Sequence, residues 1–436
     1  MSPIQNVPAG DPAPSAGERF YRHGLRRMTG RDTGEHHRTA SVLELFFDLT
    51  FVTAFGVAGS QLAHGIAEDH AGAAVIAFAI AILSIMWAWV GYTWLATSFD
   101  NDDWLFRVLT LVQMAGVIVV AVGIPDLFTS VREGEDFHVG VMVTGYVIMR
   151  VGVVAMWLRA AHDDPASRSL AMTNAVSVGV AQIGWVAWLL LPLSFTAALV
   201  WLVIIWILDL GGPILAEFKG RRRGGGFPWH AHHIAERYGL LAIIAIGESI
   251  TGTLAAAQMI SDAEGWTVEA VVTIAAGVLI SFSLWWTYFV LPSGPVLDVR
   301  RDKVIPWAYV HIVLFAAIAA IGAGLHVLGY VFDDHYHVST FAAISSIAIP
   351  VLIFMACVFV LLWWLLGAPP RNIGHVVTFA MPVVAMVLAA VGWPLWACLL
   401  VVLVSPLSVI VFYETFEWRL LARRLDVVID GAADIG

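Results

Sequence analysis

The chain has 436 residues, 59% of them hydrophobic and only 13% charged, with 19 Trp and a formal net charge of -10. A soluble domain carries about 25% charged residues, so this composition excludes one, and the acidic balance gives no sign of nucleic-acid binding. Cys357 and Cys398 both fall in apolar stretches, which leaves no disulfide framework and no paired-cysteine metal motif.

The first 40 residues are polar and Arg-rich, with several Pro and Gly. They read as a partly disordered cytoplasmic tail that lacks the apolar core of a signal peptide. Twelve apolar windows follow, each long enough to span a ~30 Å hydrocarbon core at ~1.5 Å per residue. They begin near Ser41, Ala71, Trp104, Phe137, Ser167, Ser194, Ile234, Trp266, Val304, Val338, Gly374 and Trp393. The expected fold is therefore all-α, a polytopic membrane protein of about twelve transmembrane helices. Its first half covers 41–217, a basic and His-rich connection 218–233, the second half 234–424 and a C-terminal tail 425–436.

Of the 23 Lys and Arg, Arg150 and Arg237 lie inside helices, and only Arg132 falls in a loop after an odd-numbered helix. The remainder sit at the two ends and in the alternate connections, which by the positive-inside rule makes both termini cytoplasmic. The opposite loops carry acids, among them Glu133, Glu135, Asp136, Asp333 and Asp334.

Similar phrases recur about 200 residues apart. "WAWVGYTWL" in helix 2 and "SLWWTYFVL" in helix 8 align Tyr92 with Tyr288, and helices 4 and 10 open on His138-Val139 and His337-Val338. An even number of helices per unit predicts a 6+6 parallel repeat. In helices 1 and 7 two registers stay open, Glu44 with Glu236 or Asp48 with Glu248.

Charges within apolar spans are costly, roughly 2.5 to 3.5 kcal/mol at a helix centre, and so face a bundle interior, a wet cavity or one another. Glu44 and Asp48 are four apart and share a helical face. Arg150 on helix 4 and Asp209 on helix 6 lie at comparable depth, so Arg150 is expected to pair with Glu44, Asp48 or Asp209. These three carboxylates, with Glu248, outnumber the one deep Arg, which leaves Glu248 as the surplus acid able to exchange a proton. The bland alternative is a charge clasp that pins helices and carries no traffic. Ser249, beside Glu248 in "IGESITGTLAAA", is a candidate oxygen ligand, while the small residues there serve equally for close packing. His230, His232, His233 and Glu236 have spacing open to a divalent metal, but with few local ligands they read as an interfacial anchor, Glu236 and Arg237 taking part in charge pairs; no metal site or cofactor is assigned. His311 stands alone in helix 9, either hydrogen-bonded to a neighbour or a proton relay. HExxH, GxSxG, P-loop and dinucleotide motifs are missing, so nothing marks an enzyme.

"ELFFDLTFV" at 44–52, "LVQMAGVIVVAVGIPDLF" at 111–128 and "HIAERYGLLAIIAIGESI" at 233–250 resemble the bacterial low temperature requirement protein A family. The resemblance covers most of the membrane region and points to Glu44, Phe47, Asp48, His233, Glu236, Arg237, Gly239, Gly247 and Glu248. It implies a multi-pass bacterial inner-membrane protein with a stress or low-temperature role and no established chemistry. A looser likeness, to six-plus-six endolysosomal potassium channels, rests on Phe46, Phe47 and Asp48 and is not repeated in helix 7. The partners read from the sequence are the lipid bilayer and a proton or monovalent cation. A transporter or channel using buried carboxylates is the leading function, against a structural or regulatory membrane protein and, third, an intramembrane enzyme on lipid.

Overall fold

A computed structural model describes residues 24–31, 39–134, 137–222, 226–367 and 373–433. The first 23 residues of the expected tail, the loop acids Glu135 and Asp136, and Arg223 of the basic connection lie outside the described residues. Among the described residues twelve helices are long and apolar enough to cross a membrane. They are α1 Val42–Ala67, α2 Ala71–Phe99, α3 Trp104–Glu133, α4 Gly140–Asp163, α5 Arg168–Leu190 and α6 Phe195–Arg222, then α7 Ala231–Glu264, α8 Val268–Tyr288, α9 Val304–Tyr330, α10 Thr340–Leu366, α11 Ile373–Ala390 and α12 Leu395–Phe412. Each starts within three residues of an apolar window. A short helix, Ser293–Val299, sits between α8 and α9, and α12 runs through a π turn at Tyr413–Glu417 into a final helix, Trp418–Ala433. That last helix crosses the expected start of the C-terminal tail at 425.

The helix starts carry recognisable chemistry. At α1, Ser41 Oγ accepts from Glu44 N while Glu44 Oε2 accepts from Ser41 N, a reciprocal capping box. Asp103, Thr267 and Ser339 cap α3, α8 and α10 with side-chain oxygens. Gly134 ends α3 at φ +70, a conformation that costs glycine little.

Packing divides the helices by position. α9 and α2 are the most enclosed, whereas α6 and α11 keep most of their surface free. α1 lies at the centre, against α2, α3, α7 and α9. The closest crossings depend on missing side chains: a Cβ at Gly252 of α7 would stand 2.2 Å from the Gly322 carbonyl oxygen of α9. Without a hydrophobic drive between helices in lipid, such backbone approach is what holds them.

One face of the bundle gathers the basic connections and residues 24–31. These residues form a strap over the ends of α2, α3 and α4. Asp103 Oδ2 accepts from Arg26 N at 3.0 Å, Asp163 Oδ2 from Met28 N at 3.0 Å and Asp164 Oδ2 from Gly30 N at 2.9 Å, and Met28 is fully buried. Part of the tail expected to be disordered is thus docked, because its backbone N–H groups meet three carboxylates. The opposite face carries Glu68 of the α1–α2 turn, bonded to Arg132 at 3.0 Å.

Candidate functional site

The two central helices α1 and α7 begin on the basic face and bring together residues 189 apart in sequence. Arg237 Nη1 lies 2.8 Å from Glu44 Oε1, and Nη2 lies 2.5 Å from Asp48 Oδ1. Asp48 Oδ1 also accepts from Trp89 Nε1 of α2 at 2.7 Å. His233, one turn before Arg237, contacts Glu44 Oε2 through Nε2 at 3.3 Å and Thr97 Oγ1 through Nδ1 at 3.0 Å. Phe47 stacks on Tyr92 with ring centroids 3.8 Å apart, and the Arg237 guanidinium lies 5.9 Å from the Tyr92 ring. The four ionisable groups are sealed, each 0–1% exposed. With both carboxylates ionised and His233 neutral the cluster carries one excess negative charge, so it is neutral only with one further proton. Asp48 Oδ2 has no hydrogen-bond partner.

A second clasp joins α4 to α6. Arg150 Nη2 donates to Tyr146 Oη at 2.5 Å, Tyr146 Oη donates to Asp209 Oδ2 at 3.0 Å, and Arg150 Nη2 lies 3.6 Å from the same oxygen. Of the three carboxylates weighed for Arg150, the structure pairs it with Asp209. Glu44 and Asp48 belong instead to Arg237, so the charge pairing expected of Arg237 is present, while Glu236 makes no ion pair among the described residues. Glu236 is half-buried and accepts from Ala40 N at 3.2 Å. The residues of the His-rich run separate: His230 Nδ1 accepts from His233 N, His232 is exposed, and among the described residues no group of three or more metal-ligating side chains gathers.

Glu248 stands apart. It makes no ion pair or hydrogen bond among the described residues and lines a cleft of about 200 Å³. The walls are small residues of α1, α7 and α9, with Ser60, Thr251 and His326. A Cβ at Gly56 would lie 2.9 Å from Glu248 Oε2, so glycine there makes room for the carboxylate. Along α1, Gly56 is eight residues past Asp48, roughly 12 Å at helical rise. The layer between holds Phe51, Phe55, Leu241 and Ala245, all buried. Ser249 does not face this cleft's acid: its Oγ bonds to Ile246 O at 2.6 Å and Ser281 Oγ at 2.7 Å, tying α7 to α8. His311 is not alone either. Its Nδ1 lies 2.8 Å from Trp307 O and its Nε2 3.2 Å from Tyr288 Oη, a pattern in which Nδ1–H donates and Nε2 accepts.

Trp89, Thr97 and Tyr146 were not singled out in the sequence, where Tyr92 and Tyr288 mark only the alignment of helix 2 with helix 8. Only Tyr146 carried a local signal, four residues before Arg150 on one helical face.

Twelve apolar helices enclosing paired and unpaired charges define a polytopic α-helical membrane protein. Residues 39–406 match the family model described as bacterial low temperature requirement A protein, and the chain belongs to that family. It is 26% identical over 292 residues to a protein of Rhizobium meliloti (strain 1021) named "Uncharacterized protein RA0937", a stretch covering 66% of each chain. The chain thus spans a little under two thirds of that relative's length. No solved structure matches it.

Proposed function

We propose that this protein is a proton- or monovalent-cation-linked transporter or channel of the bacterial inner membrane, with both termini cytoplasmic and Glu248 as its exchanging carboxylate. The observation that carries this reading is the contrast among the deep acids. Glu44, Asp48 and Asp209 are matched to Arg237 and Arg150, while Glu248 alone has no partner and borders a cleft on the side away from the basic face. An unpaired carboxylate among membrane helices marks an ion or proton route by default. Asp48 and Glu248 lie on the same α1–α7 seam at different depths, and the Phe51–Phe55 layer between them corresponds to an occluded state. Reconstituted liposomes test it. Wild type is expected to dissipate an imposed proton or potassium gradient, and Glu248→Gln to suppress the flux with helix content unchanged. Vesicles as tight as empty ones across several ions, or an undiminished Glu248→Gln, would remove the assignment.

A 6+6 parallel repeat, 41–217 on 234–424, belongs to the same proposal. In support, α1–α2, α1–α3, α3–α4, α4–α5 and α5–α6 pack as do α7–α8, α7–α9, α9–α10, α10–α11 and α11–α12. Tyr92 Oη lies 3.4 Å from Thr110 Oγ1, which bonds the carbonyl of Phe106, four residues earlier; Tyr288 meets His311, which bonds the carbonyl of Trp307. Thr110 and His311 are 201 residues apart, as are Phe106 and Trp307.

The structural or regulatory reading rests on the sealing of the Glu44–Asp48–Arg237–His233 cluster, which by itself is a clasp between the halves. Loss of folding without loss of flux specificity in its variants would favour that role.

A further inference from the structure

The Glu248 cleft carries four polar side chains, Ser60, Glu248, Thr251 and His326, and its other walls are Gly, Ala and Phe. Those walls are α-helical, so their carbonyls are engaged within the helices. On α9, Gly322 packs against the acid: a Cβ there would stand 3.1 Å from the Glu248 carbonyl oxygen. His326 is one turn further along, roughly 6 Å at helical rise, which sets it on the side of the acid away from the basic face. Its ring is half-buried and stacks on Tyr330 with centroids 5.3 Å apart. Titratable groups continue from there to the opposite surface. The Tyr330 and Tyr336 ring centroids are 4.7 Å apart, Tyr336 Oη lies 3.5 Å from His64 Nδ1, and His64 Nε2 lies 3.2 Å from Glu68 Oε1. His64 and Glu68 are partly exposed on that surface.

We propose that His326 is the outer proton relay to Glu248, and that the ion this cleft takes is a proton and not a metal cation; this rests on the transport reading of Glu248. The ligand count selects the ion. A dehydrated potassium or sodium ion is held by a ring of oxygens, as when filter carbonyls replace its hydration shell. This cleft offers one carboxylate and two hydroxyls beside an imidazole, and Thr251 Oγ1 already donates to Gly247 O at 3.2 Å. A proton needs one acceptor at a time, and an imidazole takes it on one ring nitrogen and releases one from the other. In the inward step a proton from the outer solvent forms an N–H bond on the neutral His326 ring. An N–H bond of that cation then breaks as an O–H bond forms on Glu248, leaving a neutral ring and a neutral acid, with no charge stranded in the span. The cleft of about 200 Å³ has room for several waters at ~30 Å³ each, so the two side chains need no direct contact.

The test uses full-length protein in liposomes with an internal pH dye, and follows uptake of radiolabelled rubidium and sodium in parallel. Proton flux down an imposed pH gradient is expected, with rubidium and sodium uptake no faster than in empty vesicles. Selectivity in wild type thus tests the ion without any variant. His326→Gln should slow the proton flux roughly a hundredfold, the lower end of what a positioned proton-transfer group contributes, in protein that elutes and melts like wild type. His326→Ala, which leaves room for a free ring, should regain flux when imidazole is added, read as the rate above Glu248→Gln vesicles in the same buffer. A residue that only supported the fold would not respond to the added base. Rubidium or sodium flux that Glu248→Gln suppresses keeps the route and overturns its assignment to protons. Proton flux suppressed by Glu248→Gln yet undiminished in His326→Gln keeps the route and removes His326 from it, as does a loss in folded His326→Ala that imidazole leaves untouched. Vesicles tight to all three ions remove the Glu248 route itself, and the relay with it.

Discussion

Arg237 touches two carboxylates and one aromatic box, and Arg150 touches one carboxylate through a tyrosine, so the two arginines differ in what their loss strands. Arg237→Leu leaves Glu44 and Asp48 buried side by side without a cation. Breaking a buried pair by removing one partner costs roughly 3 to 5 kcal/mol, and here two acids are orphaned, so folded yield and the melting temperature in detergent should fall sharply. Adding Glu44→Gln and Asp48→Asn to Arg237→Leu should restore much of the loss, while Asp209→Asn should restore none of it. An Arg237→Leu protein as stable as wild type would contradict the clasp. These ionisable residues stand out in the sequence because charges are rare in apolar spans. Their partners were hidden for the opposite reason: Trp89 is one of 19 Trp, and nothing local distinguishes the indole that bonds Asp48 from those that face lipid.

Among the elements, the strap at 24–31 adds the clearest pH-dependent contact. Asp103 caps α3 by accepting from Phe106 N and also receives Arg26 N and the guanidinium of Arg159. Burial alone raises its pKa, but Arg159 and the two backbone N–H groups outweigh it and hold the carboxyl at about 2, against an ordinary 3.8. Asp164 is also held below its usual value: burial opposes this, and the bonds from Gly30 N and Ser167 prevail. A depressed carboxylate contributes stability that is complete above the ordinary value and lost as pH falls through the folded one. The strap should therefore stay docked from neutral pH to about 4 and release as pH approaches about 2. A spin label at Gly24→Cys reads this as a rise in mobility confined to that window; release near pH 6 would point to a histidine instead. At pH 8, Asp103→Ala should speed tryptic cleavage after Arg26 or Arg27 roughly tenfold, as charge-assisted bonds are lost. From sequence this segment looked like an unstructured tail, because it is polar and its bonds use backbone N–H groups that any residue supplies. The receiving carboxylates were visible only as loop acids until the ends of α2, α3 and α4 came together.

At the scale of the molecule, the count of membrane helices was legible because a ~30 Å apolar solvent imposes a length on every spanning segment. Which helices form the centre was not, since lipid is as apolar as a helix interior, and hydropathy alone does not separate enclosed α9 from open α11. The arrangement makes one labelling experiment decisive for both orientation and pathway. Cys357 and Cys398 are buried, so background reaction with a membrane-impermeant maleimide is low. Lys219→Cys, exposed in the basic connection, should react only after cells are permeabilised, because the positive-inside rule puts that face in the cytoplasm. Ser60→Cys in the Glu248 cleft should react in intact cells, because an ion route through Glu248 needs water there. Thr97→Cys, buried beside His233, should resist reagent from either side in the occluded state and become reactive from the cytoplasm only if the cluster opens during transport. Labelling of Lys219→Cys in intact cells would invert the topology. A Ser60→Cys that stays unreactive while Lys219→Cys behaves as expected would mean a cleft filled by lipid, and the transport reading would lose its outer half.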